Sequence, residues 1–373
     1  MHPTTISGKK SIWAIIKPYL NVFDPTLLLL VCLIMTVSTI NMVSAGSGFP
    51  GRLEDHLRNI CLALVIIWLA ALVSPQILMR VAVPVYLVGV ALLVGVALFG
   101  IIKLGARRWI NVGVVIQPSE IMKIAMPMML AWWFQKREAT ISWQEFLIAG
   151  VLLAIPAALI IRQPDLGTGT LVSAAGFYVI FLAGLSWKVL SGMVVAGAAF
   201  MPVAWHMLHD YQRHRVMTLI DPTTDPLGKG FHIIQSMIAI GSGGLPGKGW
   251  MNGTQGHLQF IPERTTDFVF AVFSEEFGLI GNLVLITLYL LLIGRGLLIA
   301  ANAPTLFTRL LAGALSLMFF TYAFVNMGMV SGILPVVGVP LPFMSYGGTA
   351  FVTLGLGIGI LMSIHRHRKL IQS

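Results

Sequence analysis

The chain reads as an all-α polytopic membrane protein, and three observations predict it. Of its 373 residues, 57% are hydrophobic and 10% charged, whereas a soluble domain carries about 25% charged residues to cover its surface. Its apolar residues gather into charge-poor runs of span length, and its mean hydropathy is +0.88. Its short basic connections fall on one side of those runs. Lipid is the solvent this composition fits, so the two or three soluble domains that the length would suggest do not apply.

A helix crossing hydrocarbon needs about 20 mostly apolar residues, because it must satisfy its own backbone polar groups. Residues 1–24 are expected to form a cytoplasmic segment with Ile12, Trp13, Ile15 and Ile16 along the interface. They do not read as a cleavable signal, because polar residues persist to Asp24 and no A-x-A site follows. Runs 25–45, 58–74 and 81–102 are spans, and 119–135 is a weaker one with Glu120 and Lys123 in its first turn. Runs 145–161, 167–187 and 189–207 complete helices 1–7 within residues 25–207. A long polar loop, 208–267, separates them from helices 8–10 within 268–364, namely 268–294, 308–330 and 347–364. Pro335, Pro340 and Pro342 must interrupt the apolar run before the last of these. The total is about ten transmembrane helices, followed by a basic tail, 365–373.

Lys9, Lys10, Lys17, Arg80, Lys136, Arg137, Lys188, Arg295, Arg309 and the tail share one side if both termini are cytoplasmic. The connections around 46–57, 103–118, 163–166, 208–267 and 331–346 then face outward, which makes 208–267 a periplasmic loop between helices 7 and 8. The net charge of +10 reads as orientation and attraction to anionic headgroups, and no basic–aromatic clustering points to nucleic acid. Cys32 and Cys61 lie in apolar runs and suit small-residue packing better than a disulfide.

Charges in or near lipid are costly and therefore functional candidates. Glu120 and Lys123 are spaced for a structural ion pair with Ser119 as helix cap, or for a polar post beneath an outward cavity. Asp165, in Gln163-Pro164-Asp165-Leu166-Gly167-Thr168, suits a helix cap more than a catalytic role. His206, His209, Asp210 and His214 would share a helical face, which makes His209 and Asp210 weak metal candidates. Arg213, Arg215, Lys229, Lys248 and Arg264 give the long loop a basic cast suited to phosphate, or simply a solvated face. The stretch from Gly241 to Gly249 lacks P-loop spacing and reads as a flexible loop, and 230–240 reads as a short amphipathic helix on the interface. Asp267 meets the bilayer at the end of Pro262–Phe268. There it is either the cap of the next helix or a carboxylate whose pKa burial raises toward a general base, and the residues alone leave these readings equal.

These stretches together resemble the SEDS family of polytopic cell-wall polymerases. The likeness is carried by Gly105-Ala106-Arg107-Arg108-Trp109, Gln117-Pro118-Ser119-Glu120 with Lys123, and Gln163–Thr168. It continues in His209-Asp210-Tyr211-Gln212-Arg213, Gly230-Phe231-His232-Ile233-Ile234-Gln235-Ser236 and Pro262–Phe268. Gly332-Ile333-Leu334-Pro335 and Pro340–Gly348 complete it, in order to the C-terminus, and the likeness is closest to the RodA branch of Gram-negative rods.

The resemblance implies a peptidoglycan glycosyltransferase of the inner membrane that polymerises lipid II on its periplasmic side for cell elongation and rod shape. It makes Asp267 the essential acid. It puts forward Arg108, Glu120, Lys123, Asp165, Arg213, Arg215, His232, Gln235, Ser236, Glu263 and Thr265 as pyrophosphate-binding or pocket residues. It also implies a class B penicillin-binding protein on spans 268–294 and 308–330, among other elongation-complex membrane proteins. Such a reaction needs a base for the acceptor hydroxyl and cations, or a magnesium or manganese ion, for the leaving pyrophosphate; no cofactor is required by the residues themselves. Two rivals remain: a lipid II flippase, disfavoured by spans that read as charge-free apart from Glu120 and Lys123, and a non-catalytic scaffold for the penicillin-binding protein.

Overall fold

The computed structural model describes residues 22–103, 106–111, 113, 115–207, 213, 216–219, 221–222, 229–257, 261 and 263–368. Helices start where the sequence supplies proline or a capping side chain. α1 (Pro25–Ala45) opens on Pro25, and Asp24 caps it by accepting the Leu27 N–H at 2.7 Å. α2 (Arg52–Leu72) begins six residues before its apolar run, because the polar first turn from Arg52 to Arg58 is helical too. α3 (Pro75–Phe99) starts again on proline. After the connection that follows come α4 (Pro118–Gln135), α5 (Trp143–Arg162), α6 (Leu166–Leu182) and α7 (Trp187–Met207). α8 (Lys229–Ser242), the single turn α9 (Thr254–His257), α10 (Val269–Ala301), α11 (Leu306–Val330) and α12 (Gly348–Arg368) complete the chain.

Seven of these helices, α1, α2, α3, α5, α10, α11 and α12, are long and apolar enough to cross a membrane; α6 and Trp187–Val203 of α7 are shorter apolar helices. The expectation of an all-helical chain is corrected between α3 and α4. There β1 (Ile101–Lys103), β2 (Ala106–Asn111) and β3 (Val115–Ile116) form an antiparallel sheet in that order. Gly100 turns extended (ψ 150°) and ends α3, and the β-branched and aromatic residues Ile101, Trp109, Ile110, Val115 and Ile116 suit the strands.

Burial sorts the helices into centre and rim. α11 is 78% and α12 72% buried along its apolar window, against 22% for α5. α4 is interior as well and packs on α3, α6 and α11. α12 lies close on α2 because Gly355 and Gly359 face Ala63, Ile67 and Ala70; a Cβ at Gly359 would sit 2.5 Å from that of Ala70. Cys32 and Cys61 are free thiols on the outer surface, so they do not serve the packing expected of them.

α10 is two helices joined at a break. Gly278 stands at φ 62°, ψ −159°, and the glycine-rich segment fills the gap. Leu279 and Ile280 donate their amides to the carbonyls of Gly244 (2.9 Å) and Leu245 (3.2 Å), while Lys248 and Gly249 donate to those of Glu275 and Glu276 (3.0 Å each). The flexible-loop reading of Gly241–Gly249 is thus corrected: its glycines allow backbone to meet backbone. The amphipathic helix is present as α8, with Met237 and Ile238 exposed on one face and the other face packed on protein. It buries Ile233, Ser236 and Ala239, packs on α10, and Ser236 Oγ donates to the Val330 carbonyl at 2.8 Å.

At the opposite ends of α1, α10 and α12, buried Asp24 binds the Arg295 guanidinium and stands 3.2 Å from His365 Nε2. Burial alone would push the Asp24 carboxyl up. The Arg295 hydrogen bond, the Leu27 N–H and the charges of His365 and Arg295 outweigh it and hold the group below its ordinary value.

Two outcomes follow. Gly247→Ala places a Cβ 2.1 Å from the Glu276 carbonyl, whereas Gly244, also at positive φ, has open space. Both variants pay about 1–2 kcal/mol for the left-handed residue, so melting in detergent should fall further for Gly247→Ala; equal losses would contradict the clamp. For Asp24, a lowered folded-state pKa means stability that is complete above about pH 4 and lost as pH falls through the folded value. Asp24→Asn should therefore melt lower at neutral pH, and the gap to the wild type should close below about pH 4.

Candidate active site

Asp267 stands at the end of a compact turn. The amides of Thr266 and Phe268 both donate to the Glu263 carbonyl, at 3.1 and 3.2 Å. Buried Arg264 anchors the turn to the segment after α1: its Nε donates to the Ala45 carbonyl at 2.9 Å, and its other nitrogens reach the carbonyls of Gly256 (2.5 Å) and Ser47. Its guanidinium also lies 4.9 Å from the Phe49 ring centre, and burial holds its pKa below the usual arginine value. Arg264 is thus committed to main-chain carbonyls rather than to phosphate. Lys248 is committed too, 2.6 Å from Glu275.

Asp267 does not cap the helix that follows it. The cap position of α10 is Phe268, which makes no side-chain cap hydrogen bond, so one of the two equal readings falls away. The Asp267 carboxylate, half-buried, lies against the segment Val337–Gly338–Val339. A Cβ at Gly338 (φ 73°) would stand 3.3 Å from Asp267 Oδ2. Asn326 Nδ2 donates to the main-chain oxygens of Asp267 (2.9 Å) and Val339 (2.7 Å). The rest of the proline-broken 331–347 segment is tied to the same turn: Ser345 Oγ donates to Thr266 O at 2.6 Å, and the Tyr346 amide to Thr265 O at 2.7 Å. Tyr289 holds the Pro342 carbonyl at 2.6 Å from within α10.

The turn of Asp165 also lies against this segment, since a Cβ at Gly167 would stand 2.6 Å from the Val337 carbonyl. Asp165 caps α6 through the Thr168 amide (3.2 Å) and also accepts Gln117 Nε2 at 3.1 Å. Arg108 Nε lies 3.8 Å from that carboxylate, and its guanidinium donates to the Pro164 carbonyl. Beneath, Lys123 pairs with Glu120 at 2.6 Å, Thr353 holds the other Glu120 oxygen at 3.0 Å, and the Tyr322 ring centre is 5.4 Å from Lys123 Nζ. Ser119 is not the cap of α4; Gln117 holds that position without a side-chain bond.

The remaining candidates divide. The His232 ring lies tilted against that of Phe268, centres 5.9 Å apart, Thr265 is buried beside Asp267, Gln235 is half-buried on α8, and Glu263 is exposed. Ser236 is spent on α8 and α11. Arg213 donates to the carbonyls of Trp205 (3.0 Å) and His206 (2.7 Å), at the end of α7. His209, Asp210 and Arg215 lie outside the described residues, among which no group of three His, Cys, Asp or Glu side chains is placed to hold a metal.

Three residues escaped the sequence reading. Glu275 and Glu276 sit buried inside a run taken as charge-free. Glu275 accepts Lys248 Nζ (2.6 Å), the Thr254 amide and hydroxyl (2.9 Å each) and the Gln255 amide, and Glu276 accepts Ser44 Oγ. Carboxylates within an apolar run were the available signal. Asn326 had the fainter one, an amide in a span.

Residues 20–370 match the model of the FtsW/RodA/SpoVE cell cycle proteins. The chain belongs to this family. Among its relatives, peptidoglycan glycosyltransferase MrdB of Escherichia coli K12 is 51% identical over 366 residues, 98% of each chain. The probable peptidoglycan glycosyltransferase FtsW of Geobacter metallireducens is 38% identical over 77% of this chain and 78% of that one. Among solved structures, one chain of a peptidoglycan synthase complex that coordinates polymerisation and crosslinking superposes with a TM-score of 0.80, at 34% identity over 93% of this chain and 98% of that one. The rod shape determining protein RodA of Thermus thermophilus superposes with a TM-score of 0.70, at 29% identity over 93% and 97%. With its apolar helices, membership makes the chain a multi-pass membrane protein.

Arg264→Lys tests the anchoring of the turn. An ammonium cannot reach three carbonyls at once, so the variant should lose about 1–3 kcal/mol of stability, read as a lower melting temperature, while Glu263→Gln at the exposed start of the turn should melt as the wild type does.

Proposed function

We propose that the chain is a peptidoglycan glycosyltransferase that polymerises lipid II into glycan strands for elongation and rod shape, with Asp267 as general base. The observation that carries this reading is the Asp267 turn itself: a carboxylate beside a membrane helix that it does not cap, in a turn tied down from three sides.

The chemistry follows from that placement. The acceptor sugar's 4-hydroxyl gives its proton to the Asp267 carboxylate as its oxygen bonds to the donor's anomeric carbon. The bond from that carbon to the lipid pyrophosphate breaks, and the electron pair leaves on the pyrophosphate. This leaving group needs positive charge more than a proton donor. Arg108, part-exposed on the turn of Asp165, is the described cation best placed to supply it, with Lys123 and Glu120 as the buried polar floor and Arg213 and Arg215 as further candidates. A divalent ion, magnesium or manganese, would supply the same neutralisation when bound, with His209 and Asp210 as its weak candidate ligands.

In this reading ten helices cross the inner membrane, both termini are cytoplasmic, and the 208–267 loop and active site face the periplasm. The basic connections support that orientation. A class B penicillin-binding protein would pack its membrane helix on α10 and α11. Between these helices lies an apolar groove of about 310 Å³, lined by Phe270, Leu290, Phe320, Phe324 and Ile333 among others. Likeness to a chain of a peptidoglycan synthase complex supports such a partner, alongside other elongation-complex membrane proteins. The flippase rival gains little from Glu275 and Glu276, since Glu275 accepts Lys248 and Glu276 accepts Ser44, both next to the break at Gly278.

The experiment is polymerisation of lipid II by purified protein with and without its partner. Asp267→Asn should make no glycan strands while folding and binding the partner normally; full activity in that variant would sink the assignment. Lipid translocation in vesicles without strand formation would favour the flippase, and neither activity the scaffold.

A further inference from the structure

We infer that Asn326 is the positioning residue for Asp267, setting both the backbone that carries the carboxylate and the wall it faces. The inference rests on the reading of Asp267 as base. Asn326 is completely buried within α11, where an amide is costly unless it is hydrogen-bonded. Its neighbours along that helix, Phe319, Tyr322, Ala323, Met329 and Val330, make a packed apolar face, where an apolar side chain would fill the space without that cost.

The amide is spent on two contacts only. Nδ2 donates to the carbonyl of Asp267 at 2.9 Å and to that of Val339 at 2.7 Å. Both partners can only accept, so the amide's orientation follows from them, and its two protons are matched one to each. The first bond fixes the main chain of the aspartate itself. The second fixes the residue next to Gly338, where a Cβ would come within 3.3 Å of Asp267 Oδ2. One side chain therefore spans the gap between base and wall. α11 is held at this depth by Ser236, which bonds the Val330 carbonyl at 2.8 Å. A base must meet the hydroxyl it deprotonates within about 2.6–3.2 Å, and a misplacement of about 1 Å costs on the order of a hundredfold in rate.

The test exploits opposite demands of packing and hydrogen bonding. Asn326→Leu keeps the branched four-atom side chain and removes both donors; Asn326→Gln keeps the amide on a longer arm, and both variants enlarge the side chain. Lipid II polymerisation is measured with the purified chain and its partner over a range of substrate, normalised to folded protein. Positioning predicts that Asn326→Leu loses about ten- to a hundredfold in kcat with KM within about two-fold, and that Asn326→Gln recovers much of the loss. Comparable losses in both enlarged variants are the signature of packing and overturn the inference, as does an impaired Asn326→Gln beside a near-wild-type Asn326→Leu, or full activity in both. Should Asn326→Leu fail to fold, Asn326→Ser decides: lower kcat per folded molecule at unchanged KM supports positioning, and unchanged kcat with a lower melting temperature overturns it. Asp267→Asn is assayed in parallel; full activity there removes the base reading, and the inference with it, whatever Asn326 does.

Discussion

Hydrocarbon offers no partner to an open amide or carbonyl, so backbone that leaves the helix beside the bilayer has to be covered by protein. This chain leaves the helix at three places around Asp267: the turn 263–268, the break at Gly278 and the segment 331–347. Each is satisfied by another element. The glycine-rich loop completes the broken helix, Arg264 takes the carbonyls after α1, and Ser345, Tyr346 and Asn326 close the proline-broken segment onto the aspartate turn. The site exists because these irregular stretches had nowhere else to bond.

Charge obeys the same rule. Asp24 takes Arg295, Glu275 takes Lys248, and Glu120 takes Lys123. Such pairs are weak evidence for stability as such, but they settle which charged groups are already occupied. Arg108 stays part-exposed beside Asp165, and that turn shares the Val337–Val339 wall with Asp267.

Helix positions were largely legible in the sequence, because the length of an apolar run and a proline or aspartate at its start are local signals. α1 matches its run of 25–45 residue for residue. The β-hairpin at 101–116 was not legible, since its strands are too short to show a period. Asp267 was visible through its motif and the family likeness, yet the residues alone left it equal between cap and base; the structure puts Phe268 at the cap position, and the base role is the proposal. Asn326 and Gly338 lie 59 and 71 positions from Asp267, so no local pattern could join them to it. The glycine-rich loop misled for the same reason: its partner is a helix break whose cause is the loop's own backbone.

With Asp267 as base, lipid II reacts against the Asp267 turn, beside the Val337–Val339 segment. The most direct measurement is photo-crosslinking with a lipid II analogue carrying a diazirine on the acceptor sugar, followed by peptide mapping of the adducts. Adducts are expected on residues 263–268 and on the segment around Gly338. Adducts confined to the lipid-facing surfaces of α5, α6 and α7, with none on either of those stretches, would contradict this placement.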